Sequence, residues 1–279
     1  MFRNLGNSTK AFLFFVLAFG MTLAVSLLEP LLGGVTMLLH MYTPTFAAVL
    51  MLLVVTREGY TKAGWVSLGL HRAGWRSWGF ALLAPLVAVG AAYGIVWMAG
   101  VAYPTMPDGF TPATLVLELV ASFVISSAFA LGEEIGFRGY LLPRLVHLGT
   151  TRALVLGGLM FAIWHFPLML LTQVYPIHGS WLIAGPILLV TLTAAGVFYG
   201  FLRLNSDSVW PATIAHGAVN TYFKMFGLIT ITSSPLVLEY LAGERGVLTM
   251  VATVLGAAWL IGRMHRRHAG QAVQLPSGA

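Results

Sequence analysis

Residues 79–101 read GFALLAPLVAVGAAYGIVWMAGV, a stretch without a single Asp, Glu, Lys, Arg or His. A run of about 17–25 apolar residues is long enough to cross a bilayer as a helix. Further runs of this kind lie at roughly 11–32, 35–55, 112–142, 153–173, 181–202, 210–230 and 246–262. Together they predict an all-α, polytopic integral membrane protein of about eight transmembrane helices. The composition of the 279 residues agrees: 58% are hydrophobic, 9% charged, and the mean hydropathy is +0.86. A soluble domain carries about a quarter charged residues, so fibrous, disordered and soluble classes are excluded. The net charge of +6 comes from 15 Lys+Arg against 9 Asp+Glu, too sparse to track a phosphate backbone, so nucleic acid is not an expected partner. Cysteine is absent, which removes disulfides, Cys-ligated zinc, Fe–S clusters and thiol nucleophiles. The first run is too long for a signal-peptide core and lacks a small-x-small cleavage site, so it reads as a retained span.

Basic residues orient the spans. With the N-terminus in the cytoplasm, Arg3, Lys10, Arg57, Lys62, Arg72, Arg76, Arg144, Arg152, Arg203, Arg263, Arg266 and Arg267 all fall inside, as the positive-inside rule requires. Of the rest, Arg245 is outside, Lys224 nears the outer end of span seven and Arg138 is within the membrane. An odd span count would break this sorting, so both termini are expected to be cytoplasmic. Residues 1–279 read as one transmembrane domain, with core helices over about 112–230 and a disordered tail over 264–279. The inner segment 60–78 mixes Trp65, Leu68, Leu70, Trp75 and Trp78 with Lys62, Arg72 and Arg76, which suits either the headgroup region or an ordinary basic loop. Gly90/Gly94, Gly132/Gly136 and Gly196/Gly200 have the GxxxG spacing that permits close helix contact; among 31 glycines the spacing alone carries no functional weight.

An ionisable side chain within a span costs several kcal/mol unless partnered. Glu29, His40, Glu118 and Lys224 read as structural: an interfacial acid, a core histidine, an acid two turns into span four and a snorkelling lysine. The sequence Gly132-Glu133-Glu134-Ile135-Gly136-Phe137-Arg138 is sharper. Glu134 and Arg138 share a helix face in the favourable acid-then-base order, while Glu133 is turned roughly 100° away and free to meet another neighbour. Span five supplies Phe161 and His165; span seven supplies His216 and, one turn later on the same face, Asn220. At about 1.5 Å rise per residue, Glu133, His165 and His216 lie roughly 15, 18 and 10 Å from the inner ends of their spans. They occupy one inner-half layer if their helices are neighbours.

A carboxylate and an imidazole converging on a water form a general-base site, and a His/Asn face can hold an oxyanion. This chemistry is amide hydrolysis by activated water. Glu-Glu-x-x-x-Arg at Glu133–Arg138, Phe-x-x-x-His at Phe161–His165 and His-x-x-x-Asn at His216–Asn220 stand in the order seen in one family. The chain resembles the type II CAAX prenyl proteases, the CPBP or ABI family, whose characterised members are Rce1-type intramembrane glutamate proteases. The resemblance implies that Glu133 activates water with His165, that His216 and Asn220 form the oxyanion hole, and that Glu134, Arg138 and Phe161 support the site. It further implies a peptide or lipidated, CAAX-type protein substrate within membrane lipid, and a bacterial or archaeal cytoplasmic membrane as the location.

Other intramembrane proteases fail on their own requirements. Gly-x-Ser occurs only at Gly6–Ser8, Asp108 and Asp207 fall in loops, and His-Glu-x-x-His is missing. No cofactor is expected; the alternative is zinc on Glu133, His165 and His216, or Glu134, against which Arg138 would compete. A non-catalytic protein, whether a bacteriocin immunity factor, partner scaffold or transporter, is the alternative of another class. Against transport, no inverted repeat is seen.

Overall fold

The computed structural model describes residues 5–273; Arg3 and residues 274–279, the end of the segment expected to be disordered, lie outside them. Eight long helices form: α1 (Asn7–Leu27), α2 (Val35–Leu50), α3 (Trp78–Met98), α4 (Pro112–Glu134), α5 (Thr150–Leu171), α6 (Trp181–Ser206), α7 (Trp210–Leu228) and α8 (Val247–Val273). Among the described residues a single short antiparallel pair, β1 (Tyr103–Pro104) with β2 (Thr230–Ile231), joins the connection after α3 to the end of α7.

Among the described residues, seven segments are long and apolar enough to cross a membrane: Asn7–Leu27, Val35–Val55, Trp75–Met98, Pro112–Leu148, Thr150–Leu171, Trp181–Ser206 and Pro235–Arg266. The expected span at 210–230 forms as α7 but is not among them. The physical reason is its content: His216, Asn220 and Lys224 dilute its hydropathy. It survives because α4, α5's neighbour α6, and α3 pack around it, leaving His216, Ala215 and Ala218 buried.

Local signals set the helix ends. Thr111, just before Pro112, and Thr114, in the first turn, form a reciprocal capping box that starts α4, since a cap side chain satisfies N–H groups that the helix itself cannot. Gly149, with φ of 95°, separates the long rod ending at Leu148 from α5 in a conformation that side chains disfavour. That rod continues from α4 through a π-type segment, Ile135–Leu141, and a further turn, Leu142–Leu145.

Contacts bring the helix ends into register. Lys10 and Arg144 both bond Glu58 (2.6 and 2.5 Å), and Ser8 meets His147. Thr151 meets His265. The start of α1 and the later part of α8 therefore lie on one face of the bundle. The 60–78 segment belongs to that face too: Ser67, Leu70 and Arg72 carbonyls accept bonds from Arg203, Trp210 and Ser208. Leu68 is buried, whereas Trp65 and Trp75 are exposed.

Small residues decide how closely the rods approach. A Cβ at Gly132 would lie 2.7 Å from the Met41 carbonyl, and one at Gly136 would overlap Pro44. Gly196 is likewise pressed against Gly158 of α5, whereas Gly94 faces open space. Two of the three GxxxG pairs are thus true crossing points.

Candidate active site

The polarity of the molecule is inverted relative to a soluble domain. Leu83, Val87, Leu117 and Val124 point outward with 61%, 69%, 68% and 61% exposure, while Glu133, Glu134, Arg138, His165 and His216 are buried. An apolar exterior suits lipid; charges in such an interior must satisfy one another.

Glu134 does so through one oxygen, while its Oε2 and Arg138 Nη2 have no hydrogen-bond partner among the described residues. Its Oε1 accepts from Arg138 Nη1 at 3.0 Å and from His216 Nδ1 at 2.9 Å. The i,i+4 pair foreseen in the sequence therefore forms, and it recruits a second helix. Aromatic rings close the cluster: Arg138 lies 4.3 Å from the Phe161 ring centroid and 5.1 Å from that of Tyr199, at cation–π range. Tyr199 in turn stacks on His216 at 5.0 Å and 13°. Because Nδ1 of His216 carries the proton given to Glu134, Nε2 is left for other work.

Glu133 points elsewhere, as its offset around the helix requires. Its Oε2 lies 3.6 Å from His165 Nε2 and has no hydrogen-bond donor among the described residues. The separation exceeds a direct hydrogen bond. His165 Nδ1 donates to the Phe161 carbonyl at 2.9 Å; a carbonyl only accepts, so in the neutral ring Nε2 presents a lone pair. Two acceptors thus face one another, an arrangement that a water molecule donating to both would satisfy.

The ring of His165 is held from behind. Pro44 cannot donate to the carbonyl four residues earlier, and Thr43 Oγ1 takes over, donating to His40 O at 2.9 Å. The same hydroxyl accepts from Trp164 Nε1 (3.2 Å) and pairs with Thr22 (2.7 Å). Trp164 then stacks on His40 at 4.2 Å, and Phe161 meets His165 edge-on at 4.6 Å. His40 is thus a core residue, though by stacking: neither ring nitrogen has a partner among the described residues. Thr43, Trp164 and Tyr199 were not singled out in the sequence, because their partners sit on other helices and leave no local pattern. The remaining pair of intramembrane residues explains itself, with Lys224 bonding Glu118 at 2.6 Å.

A cavity of about 520 Å³ opens onto these groups, lined by Glu133, Phe161, His165, His216 and Asn220. All four residues expected to be catalytic therefore reach one space. Glu134 and Arg138 stand behind it. Most of the wall is apolar, from α3 (Phe80, Leu83, Val87) and α8 (Ala252, Gly256, Trp259). Among the described residues, no three His, Asp or Glu side chains converge closely enough to hold a metal ion.

Comparison with known proteins adds one finding. Residues 112–222 match the family model described as type II CAAX prenyl endopeptidase Rce1-like. The matched stretch runs from the first residue of α4 to Tyr222, two residues past Asn220 within α7, so it contains the whole polar cluster. No curated protein matches the chain.

Proposed function

We propose that this chain, Rce1-like over residues 112–222 and multi-pass by its helices, is an intramembrane endopeptidase that hydrolyses a peptide bond with water activated by Glu133 and His165. The observation that carries the reading is the opposed pair of acceptors, Glu133 Oε2 and His165 Nε2, 3.6 Å apart at the wall of a mostly apolar cavity.

In this reading a water donates one hydrogen to each acceptor, which directs its lone pair outward at a substrate carbonyl. Glu133 removes the proton as the C–O bond forms. The oxyanion is received by the Asn220 amide and by His216 Nε2–H, the imidazolium form being balanced by Glu134 on the opposite nitrogen. Protonated Glu133 then delivers the same proton to the departing nitrogen as the C–N bond breaks. Water is consumed, and a carboxyl and an amine leave. Arg138 neutralises Glu134, so that Glu133 is the one carboxylate of the adjacent pair left to act as a base.

The family description names prenyl endopeptidases, and the apolar walls suit a membrane-associated, lipid-bearing protein or peptide as substrate. The basic end of the bundle, with Lys10, Arg144 and Lys62, is the cytoplasmic end in this reading.

The test uses purified protein in liposomes with a prenylated CAAX-type peptide. Cleavage should fall at least a thousandfold in Glu133→Gln and His165→Ala, and about a hundredfold in Asn220→Ala, the scale of losing one oxyanion donor. A zinc chelator should leave the wild-type rate unchanged. Undiminished cleavage by Glu133→Gln would defeat the mechanism, and loss of activity on chelation with recovery on zinc would replace it.

A further inference from the structure

The protein has nine acidic residues, and their partners can be traced one by one. Glu29 and Asp108 sit in connections between helices. Glu58 is held by Lys10 and Arg144, Glu118 by Lys224, Glu134 by Arg138 and His216, and Asp207 by Arg203 and Arg72. Glu239 accepts the backbone N–H groups of His178 and Gly179. Two acids remain, Glu133 and Glu244, and both line the same cavity. Glu133 has a task there. Glu244 has no ion-pair or hydrogen-bond partner among the described residues, and no Lys or Arg lines the cavity.

The surroundings of Glu244 are built to hold it in place. It lies in the turn between the segment Leu238–Ala242 and α8, which is clasped to the 172–180 connection through Glu239, through Tyr240 on Ser180 N, and through Arg245 on the Pro176 carbonyl. Arg245 is thereby drawn toward Pro176 and the face of Trp181 rather than to Glu244. The clasped connection contributes Tyr175 to the cavity wall. Glu244 lines that same cavity, and repulsion from its carboxylate, reinforced by burial, raises the Tyr175 hydroxyl above its ordinary pKa. A carboxylate in a mostly apolar cavity with no direct ion-pair or hydrogen-bond partner is costly. The cost falls when a cation enters and pairs with it.

We infer that Glu244, on the cavity wall it shares with Tyr175 and Glu133, is a substrate subsite for a cationic group, an ammonium or guanidinium carried by the peptide near the bond presented to Glu133. The inference rests on the endopeptidase reading for its substrate class, yet binding alone can test it. Lys or Arg side chains and a free N-terminal amine share this chemistry.

The experiment compares four fluorescent peptides of one apolar sequence: internal Lys with acetylated N-terminus, internal norleucine with free N-terminus, both cations, and neither. Binding is measured by anisotropy on the full-length Glu133→Gln protein, and cleavage on the wild type. At least one singly cationic peptide should bind roughly tenfold tighter than the neutral one, and which one does identifies the source of the charge. Adding Glu244→Gln should erase that preference while neutral-peptide binding persists, which also shows that the variant is folded. Glu244→Lys should prefer a Glu-bearing peptide. Equal binding of all four, or a preference that survives Glu244→Gln, overturns the subsite. Cleavage without charge preference defeats the subsite and leaves the protease reading intact; a Glu244-dependent preference without cleavage does the reverse.

Discussion

Arg138 is the residue whose removal should cost most without touching substrate. It supplies one of two donors to Glu134 and lies between the rings of Phe161 and Tyr199. Truncating one member of a buried ion pair strands the other, at about 3–5 kcal/mol. Arg138→Met should therefore lower the melting temperature sharply, and a second change, Glu134→Gln, should recover part of the loss by removing the stranded charge. If Arg138→Met melts like the wild type, the cluster is not holding α4 to α7. The acid–base spacing of this pair was legible in the chain because it is local. The choice of Glu134 by His216 was not: the sequence shows His216 sharing a face with Asn220, but only packing decides which nitrogen meets which carboxylate across 82 residues.

At the scale of elements, the α2–α4 crossing positions the site. Thr45 donates to the Gly132 carbonyl just before Glu133, and Pro44 fills the space that Gly136 leaves open. Gly136→Ala would force backbone apart on both sides, so we expect at least about 1–3 kcal/mol of destabilisation together with loss of cleavage. Gly94→Ala, in open space within α3, should be neutral or stabilising by up to about 1 kcal/mol. Equal melting temperatures for the two variants would refute the crossing. A second device on α2 is the Thr43 hydroxyl. Thr43→Val should leave Trp164 Nε1 unpaired at about 1–3 kcal/mol, and kcat should fall more than KM rises if His165 loses its backing. Apolar runs marked where the helices lie, α7 included, although its His216, Asn220 and Lys224 keep it out of the segments apolar enough to cross a membrane. The crossing glycines looked no different from the idle ones, because spacing does not say what stands opposite.

For the molecule as a whole, Glu58 acts as a staple between the start of α1 and the last turns of the long rod. Burial raises its carboxyl pKa, but hydrogen bonds from Lys10 and Arg144 outweigh that effect and hold it below the ordinary value. A depressed folded pKa means stabilisation that is complete above the unfolded value, near 4.3, and that fades as pH falls through the folded one. The carboxylate is 30% exposed, so solvent screening limits the effect to under about 1 kcal/mol. Melting curves of the wild type and Glu58→Gln should differ at pH 7 and converge below pH 4; a gap that persists in acid would contradict the staple. Glu58 lay outside every expected span and drew no attention in the sequence, since its two partners are 48 and 86 residues away.

The π-type segment Ile135–Leu141 has a consequence for how the chain tolerates changes in length. A π turn accommodates more residues than an α turn over the same rise, so it is the place where the rod can lose one residue and remain a continuous helix. Loss between Glu134 and Arg138 would shorten their spacing and rotate the guanidinium away from its acid. Loss between Gly139 and Leu141 would leave that pair in phase and instead swing Arg144 away from Glu58. A single-codon deletion scan along this segment would thus separate, within seven residues, the register that serves the proposed chemistry from the register that closes the bundle.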